Sequence, residues 1–170
     1  MNRKIEFSQL SIEIEETDSQ VVYYFSGDVN ENFNQSDVPL ISRSRIVLDL
    51  KGVENFNSCG IREWIYFIRS LTGKGSIFFR NCSIATVDQI NMIPDSLGGA
   101  SIESFYAPYF CQEHGESIQL IEVEKNRDDL MHLVAPKFKC SECGKDLEFD
   151  ALEESYFMFI TQGSEEKKVS

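Results

Sequence analysis

Apolar and polar residues alternate at Leu10-Ser11-Ile12-Glu13-Ile14-Glu15, the period of a strand with one wet face. Thr17-Asp18-Ser19-Gln20 follows as a turn, and 21–26 is β-branched and aromatic, so the two segments predict a hairpin that Gly27-Asp28 ends. Residues 30–44 are polar, rich in Asn and Ser and interrupted by Pro39; they read as a loop with room for one short helix. The near-continuous apolar run over 45–53, with Ile46-Val47-Leu48-Asp49-Leu50, predicts a central strand buried on both faces.

The clearest helix spans 58–71. Ile61, Trp64, Ile65, Ile68 and Leu71 recur on one face, while Arg62, Glu63 and Arg69 point elsewhere. Asn57 or Ser58 is placed to cap its start, and Gly73 lies just past its end. Ser76-Ile77-Phe78-Phe79 reads as a strand, 84–93 as a helix stopped by Pro94, and 101–106 as a further strand. Strands alternating with helices after an opening hairpin predict an α/β fold, a mixed sheet with helices packed on it.

Near Tyr106 the patterns shorten and the chemistry changes. Phe110-Cys111-Gln112-Glu113-His114-Gly115 and Lys139-Cys140-Ser141-Glu142-Cys143-Gly144-Lys145 form two matched hooks. Two ligands separated by two residues grip one ion from a tight turn, and the Gly after each pair lets the backbone fold back so that amide N–H groups face the sulfurs. Between the hooks lie 25 residues (115–139), room for two strands, around 117–123 and 130–134, that bring them together as a small ribbon. Cys111, His114, Cys140 and Cys143 are therefore expected to bind Zn2+ tetrahedrally, with no open position for water and hence a structural role. His132, with no partner at hook spacing, reads as a surface histidine. A redox pair at Cys140 and Cys143 is the alternative.

Asp150 and Glu153 have capping-box spacing ahead of a terminal helix, whose aromatic end at Tyr156-Phe157-Met158-Phe159-Ile160 is expected to be buried against the sheet. The chain thus divides at 5–105, at 106–162 (the zinc unit with its C-terminal helix) and at 163–170, a charged tail.

Composition narrows the function. The 170 residues carry 28 acids against 16 bases, a net charge of −12, with no Lys/Arg-rich run. Such a surface repels phosphate backbones and anionic lipid, which opposes the nucleic-acid binding a zinc ribbon otherwise invites. No signal-peptide core stands in the first ten residues, and no apolar run approaches the ~18 residues of a spanning helix, so the expected location is the cytoplasm. Five cysteines make a poor disulfide framework and fit three metal ligands plus Cys59 and Cys82, both read as small packed residues.

The segment Asp49-Leu50-Lys51-Gly52-Val53-Glu54-Asn55-Phe56-Asn57-Ser58-Cys59-Gly60-Ile61 runs a buried strand through a short loop into a helix with small polar first residues. It resembles the STAS domain of bacterial anti-sigma factor antagonists and the cytoplasmic ends of sulfate transporters. The matching pieces are Val47-Leu48-Asp49-Leu50 with Gly52-Val53, Asn57-Ser58-Cys59-Gly60-Ile61 for the family's Asp-Ser-(Ser/Thr)-Gly-(Leu/Ile), and the upstream Phe25-Ser26-Gly27-Asp28-Val29. The resemblance covers 5–105. It implies a non-catalytic signalling module that binds a regulatory kinase or similar protein partner, with homodimerisation as a further expectation. It makes Ser58 the phosphoacceptor candidate and Asn57, Cys59 and Gly60 candidates for the partner surface. A phosphate on Ser58 would sit at the positive end of the helix dipole. Asn57 stands where the family has Asp, and Cys59 where it has Ser or Thr.

Two other readings compete. One is thiol chemistry at Cys59 or at Cys140 and Cys143; the chain has no Gly-rich phosphate loop and no nucleophile elbow, and only two histidines. The other is a zinc-ribbon nucleic-acid adaptor, which the charge opposes.

Overall fold

The alternation at the start of the chain is a strand, and its burial alternates in step. A computed structural model describes residues 2–166. In it β2 (Leu10–Glu16) buries Leu10, Ile12 and Ile14 and pairs antiparallel with β3 (Gln20–Val29). The edge strand β1 (Asn2–Glu6) pairs with β2 and was not legible in the sequence. It is almost wholly exposed, and a strand that buries nothing carries no hydrophobic pattern.

The central strand β4 (Arg45–Phe56) runs parallel to β3 on one side and to β5 (Ser76–Arg80) on the other. Ile46 to Leu50 are all buried, as the apolar run predicts. The short β6 (Ser101–Ile102) completes a six-stranded mixed sheet in the order β1-β2-β3-β4-β5-β6. Crossovers are made by α1 (Ser58–Leu71) and α2 (Ile84–Met92), while the polar 30–44 loop contains only one 3-10 turn, Gln35–Asp37.

The core forms where α1 meets the sheet. Trp64 and Phe67 of α1 meet Phe25 of β3 edge to face, and Phe33 from the polar loop fills the remaining side. The Trp64 indole N–H donates to the Ser96 carbonyl at 2.8 Å, so burying this ring leaves no polar atom unpaired.

A second sheet, β8-β7-β9, is built from β7 (Ser104–Cys111), β8 (Gly115–Glu122) and the two-residue β9 (Glu148–Phe149). It is fused to the first. Cys82 and Phe105 form a parallel bridge, with Cys82 N–H donating to Ser104 O and Tyr106 N–H to Cys82 O. The boundary expected near Tyr106 falls inside β7, and one buried core runs across it.

Three expectations for the C-terminal part are corrected. The strand expected over 130–134 is instead the short helix α3 (Arg127–Met131) followed by a turn with Leu133 at φ +56°. Leu130 alone is fully buried there, and Asp128 and Asp129 favour a helix start. The capping box does not form: Asp150 makes no cap, and the Glu153 carboxylate accepts from Ala135 N–H. The terminal helix is broken into α4 (Glu153–Tyr156) and α5 (Met158–Glu166), so helix extends into the expected tail, whose residues 167–170 lie outside those described. Tyr156, Phe157 and Phe159 are buried against Phe105, as the aromatic run predicts. No helix among the described residues is long and apolar enough to cross a membrane.

Candidate metal centre and the start of α1

Strand β7 ends on the first hook, and the β7–β8 turn is the hook itself: Cys111 lies opposite Gly115, whose φ of +84° reverses the chain. The second hook is a tight knuckle. Lys139 and Asp146 bridge its stem, Cys140 N–H donates to Lys145 O, and Gly144, at φ +71°, donates to Cys140 O. It docks beside the first because β9 pairs with the end of β7, Phe138 packs edge to face on Tyr109, and the Tyr109 hydroxyl donates to Pro136 O.

These contacts bring Cys111, His114, Cys140 and Cys143 together, with all four donor atoms within 4.8 Å of one another. Cys111 Sγ lies 3.6 Å from Cys143 Sγ and 3.6 Å from His114 Nδ1, which is 3.5 Å from Cys140 Sγ. Tetrahedral bonds of ordinary metal–sulfur and metal–imidazole length give edges of about 3.8 Å for S···S and about 3.6 Å for S···N. The group can therefore hold one metal ion at its centre. The sulfur separation is also far beyond the roughly 2 Å of a disulfide bond.

Backbone amides prepare two of the thiols, while at the third, Cys143, the Lys145 N–H is outweighed by burial and the neighbouring sulfurs, which push it up. The backbone N–H of Glu113, joined by His114, draws the Cys111 thiol down to about 6. N–H groups of Cys143 and Glu142 lower Cys140 in the same way. On the outer side of His114, Nε2 lies 3.3 Å from a Glu142 carboxylate oxygen, which fixes the ring with Nδ1 facing inward. His132 is exposed and away from this group, with Nδ1 2.7 Å from Asp128 O.

The second set of candidates lies past the end of β4, where α1 begins. Asn57 caps α1: its Oδ1 accepts from Gly60 N–H at 2.8 Å, and its amide donates to Glu31 at 2.6 Å. Ser58 is left exposed, and its hydroxyl has no hydrogen-bond partner among the described residues. Two expectations change here. Cys59 is exposed rather than packed, and Gly60, unlike Asn57 and Ser58 beside it, is buried. A Cβ on Gly60 would lie 1.9 Å from Val29 O, so glycine is what lets α1 start against the end of β3. Cys82 is fully buried, and desolvation pushes its thiol far up, which makes it inert.

One polar cluster gave no sequence signal beyond an Asp in an apolar strand. Asp49, buried on β4, accepts from Arg80 Nε and Asn81 Nδ2, each at 2.9 Å. Asn81 sits at φ +52° and also exchanges hydrogen bonds with Ser104. The cluster ties β4 to the junction between the two sheets.

Compared with known proteins, the chain matches no family model, and no curated protein is similar to it in sequence.

Proposed function

We propose that this chain is a STAS-like, non-catalytic signalling module that acts by binding a protein partner, with a structural Zn2+ bracing its C-terminal part. The observation that carries the reading is Ser58. It is exposed at the first position of α1 while Asn57 supplies the cap, so its hydroxyl is free to accept a phosphate without loss of the helix start. The order of an antiparallel hairpin followed by parallel strands with α1 and α2 as crossovers supports the family resemblance. Three thiolates and one imidazole favour zinc over harder ions, and four protein ligands leave no position for catalytic water.

Thiol catalysis is the weaker reading. Cys59 is accessible, but one histidine belongs to the metal group and the other is bound to a backbone carbonyl.

The test uses the full chain as bait in its native cell, with intact-mass analysis of the recovered bait. One zinc per chain and a phosphate on a fraction of Ser58 are expected, together with a partner that Ser58→Asp no longer retains. If Ser58→Ala and Ser58→Asp hold every partner as the native chain does, the switch is wrong; a chain recovered without zinc removes the metal from the reading.

A further inference from the structure

We propose that the outer edge of β8 is a docking site for an extended, Lys- or Arg-flanked segment of a protein partner, which adds to the sheet as a further strand. The site is remote in sequence from Ser58 and does not depend on its phosphorylation.

Strand β8 is the free edge of the second sheet and pairs with β7 through eight continuous positions, without a bulge. On its outer side, 116–121 form no backbone hydrogen bond among the described residues. Proteins blunt such edges with Lys, Pro, bulges or shortness. The opposite edge of the fold does so, since β1 is a short strand carrying Arg3, Lys4 and Glu6, and β9 has only two residues. Strand β8 has no Lys, Pro or bulge over its eight residues, and its two charges, Glu116 and Glu122, are both acidic.

The exposed face beside this edge is apolar. Register places Leu120 opposite Tyr106, Ile118 opposite Pro108 and Glu116 opposite Phe110. Opposed residues share a face, with Cβ atoms roughly 5 Å apart. Ile118 is 61% exposed and Phe110 38%. An added strand would lay alternate aliphatic side chains beside Ile118 and Leu120.

Charge selects the occupant. From Ser104 to Glu124 the chain has four glutamates and no Lys or Arg. Glu113, Glu122 and Glu124 are offset by Lys145, Lys125 and Arg127, but Glu116 has no cation among the described residues. Across β7 from it, Glu148 sits opposite Phe110, so one end of the apolar face lies between two carboxylates. A second copy of this chain would bring the same acids and a net charge of −12, whereas a basic segment finds its complement there. The metal group at the β7–β8 turn would hold the edge ready before the partner arrives.

The experiment uses the zinc-loaded full chain and a set of eight-residue peptides, the length of β8. Each alternates Val or Ile with Thr and ends in Lys or Arg; matched peptides end in Glu. The basic peptides should bind by fluorescence anisotropy and slow hydrogen exchange of β8 amides. The acidic ones should bind at least about tenfold more weakly. Glu116→Lys should cost roughly tenfold, Ile118→Lys should abolish binding, and Ser58→Asp should leave it unchanged. Both altered β8 side chains are exposed, and exchange on the native chain needs no variant at all. Absence of binding by every peptide, equal binding of acidic and basic ones, or protection elsewhere than β8 would overturn the proposal. So would a dimer whose β8 amides are already protected without peptide, which would assign the edge to a second copy.

Discussion

The two ring nitrogens of His114 face different partners: Nδ1 lies 3.5 Å from Cys140 Sγ, and Nε2 lies 3.3 Å from a Glu142 carboxylate oxygen. Such an outer carboxylate fixes the imidazole tautomer and raises its basicity as a ligand. Removing it as Glu142→Ala should weaken zinc binding by about tenfold without displacing any ligand. Competition with a chromophoric chelator measures this, and unchanged affinity would show that the contact is incidental.

Thiol reactivity should rank the cysteines in a fixed order once the metal is stripped. Cys111 is drawn down to about 6 but is only 2% exposed, so with the ion gone its alkylation should require opening of the hook and should fall as pH drops through that value. Cys82, buried and pushed far up, should react only on unfolding. The same sign governs the metal. A thiol with a lowered value keeps its ligand form above that value and loses it to protons below, so acid should release zinc. Peptide-resolved labelling with and without zinc tests both, and equal labelling of Cys82 and Cys111 would refute the ranking.

Gly60→Ala tests whether glycine at the start of α1 serves packing rather than a partner surface. The added Cβ would meet the backbone oxygen of Val29 at 1.9 Å, and neither a strand end nor a helix start can yield that far cheaply. A loss of at least about 2 kcal/mol is expected in urea denaturation, against about 1 kcal/mol for Gly73→Ala, which has open space and only a positive φ to oppose it.

Asp49→Ala should cost about 2 to 3 kcal/mol. It leaves Arg80 without its carboxylate and Asn81, already at a positive φ, without one of its anchors. Asp49→Asn retains one acceptor and should cost less. Equilibrium unfolding separates the two, and equal stability of both variants would mean the cluster contributes only packing.

The metal group was legible because its spacing states a geometry: two ligands and a glycine, twice over, define a turn around an ion whatever lies between them. Of what lies between, the first strand was legible as β8 and the second was misread. Leu130, Leu133 and Val134 offer too few positions to separate helix from strand, and only burial of Leu130 settles the helix. Strand β1 was invisible because backbone pairing with β2 makes it, not side-chain burial. At α1 the pattern of Trp64, Ile68 and Leu71 fixed the buried face, but the exposure of Cys59 depends on where the helix starts, which Gly60 against Val29 decides. Asp150 and Glu153 had the right spacing for a cap, yet Glu153 is held by a backbone N–H from the distant Ala135. Local rules fail where a long-range partner competes for the same side chain.

The bridge between Cys82 and Phe105 has a consequence for the order of assembly. Phe105 lies at the start of β7, at the junction of the two sheets, yet its ring is covered by Tyr156, Phe157 and Phe159, more than fifty residues further along. During synthesis the residues up to Phe105 therefore emerge with an apolar seam that stays uncovered until Tyr156, Phe157 and Phe159 follow. An ion captured at the hooks would hold residues 111 and 143 together just before those aromatic rings arrive, shortening the loop that must close to seal it.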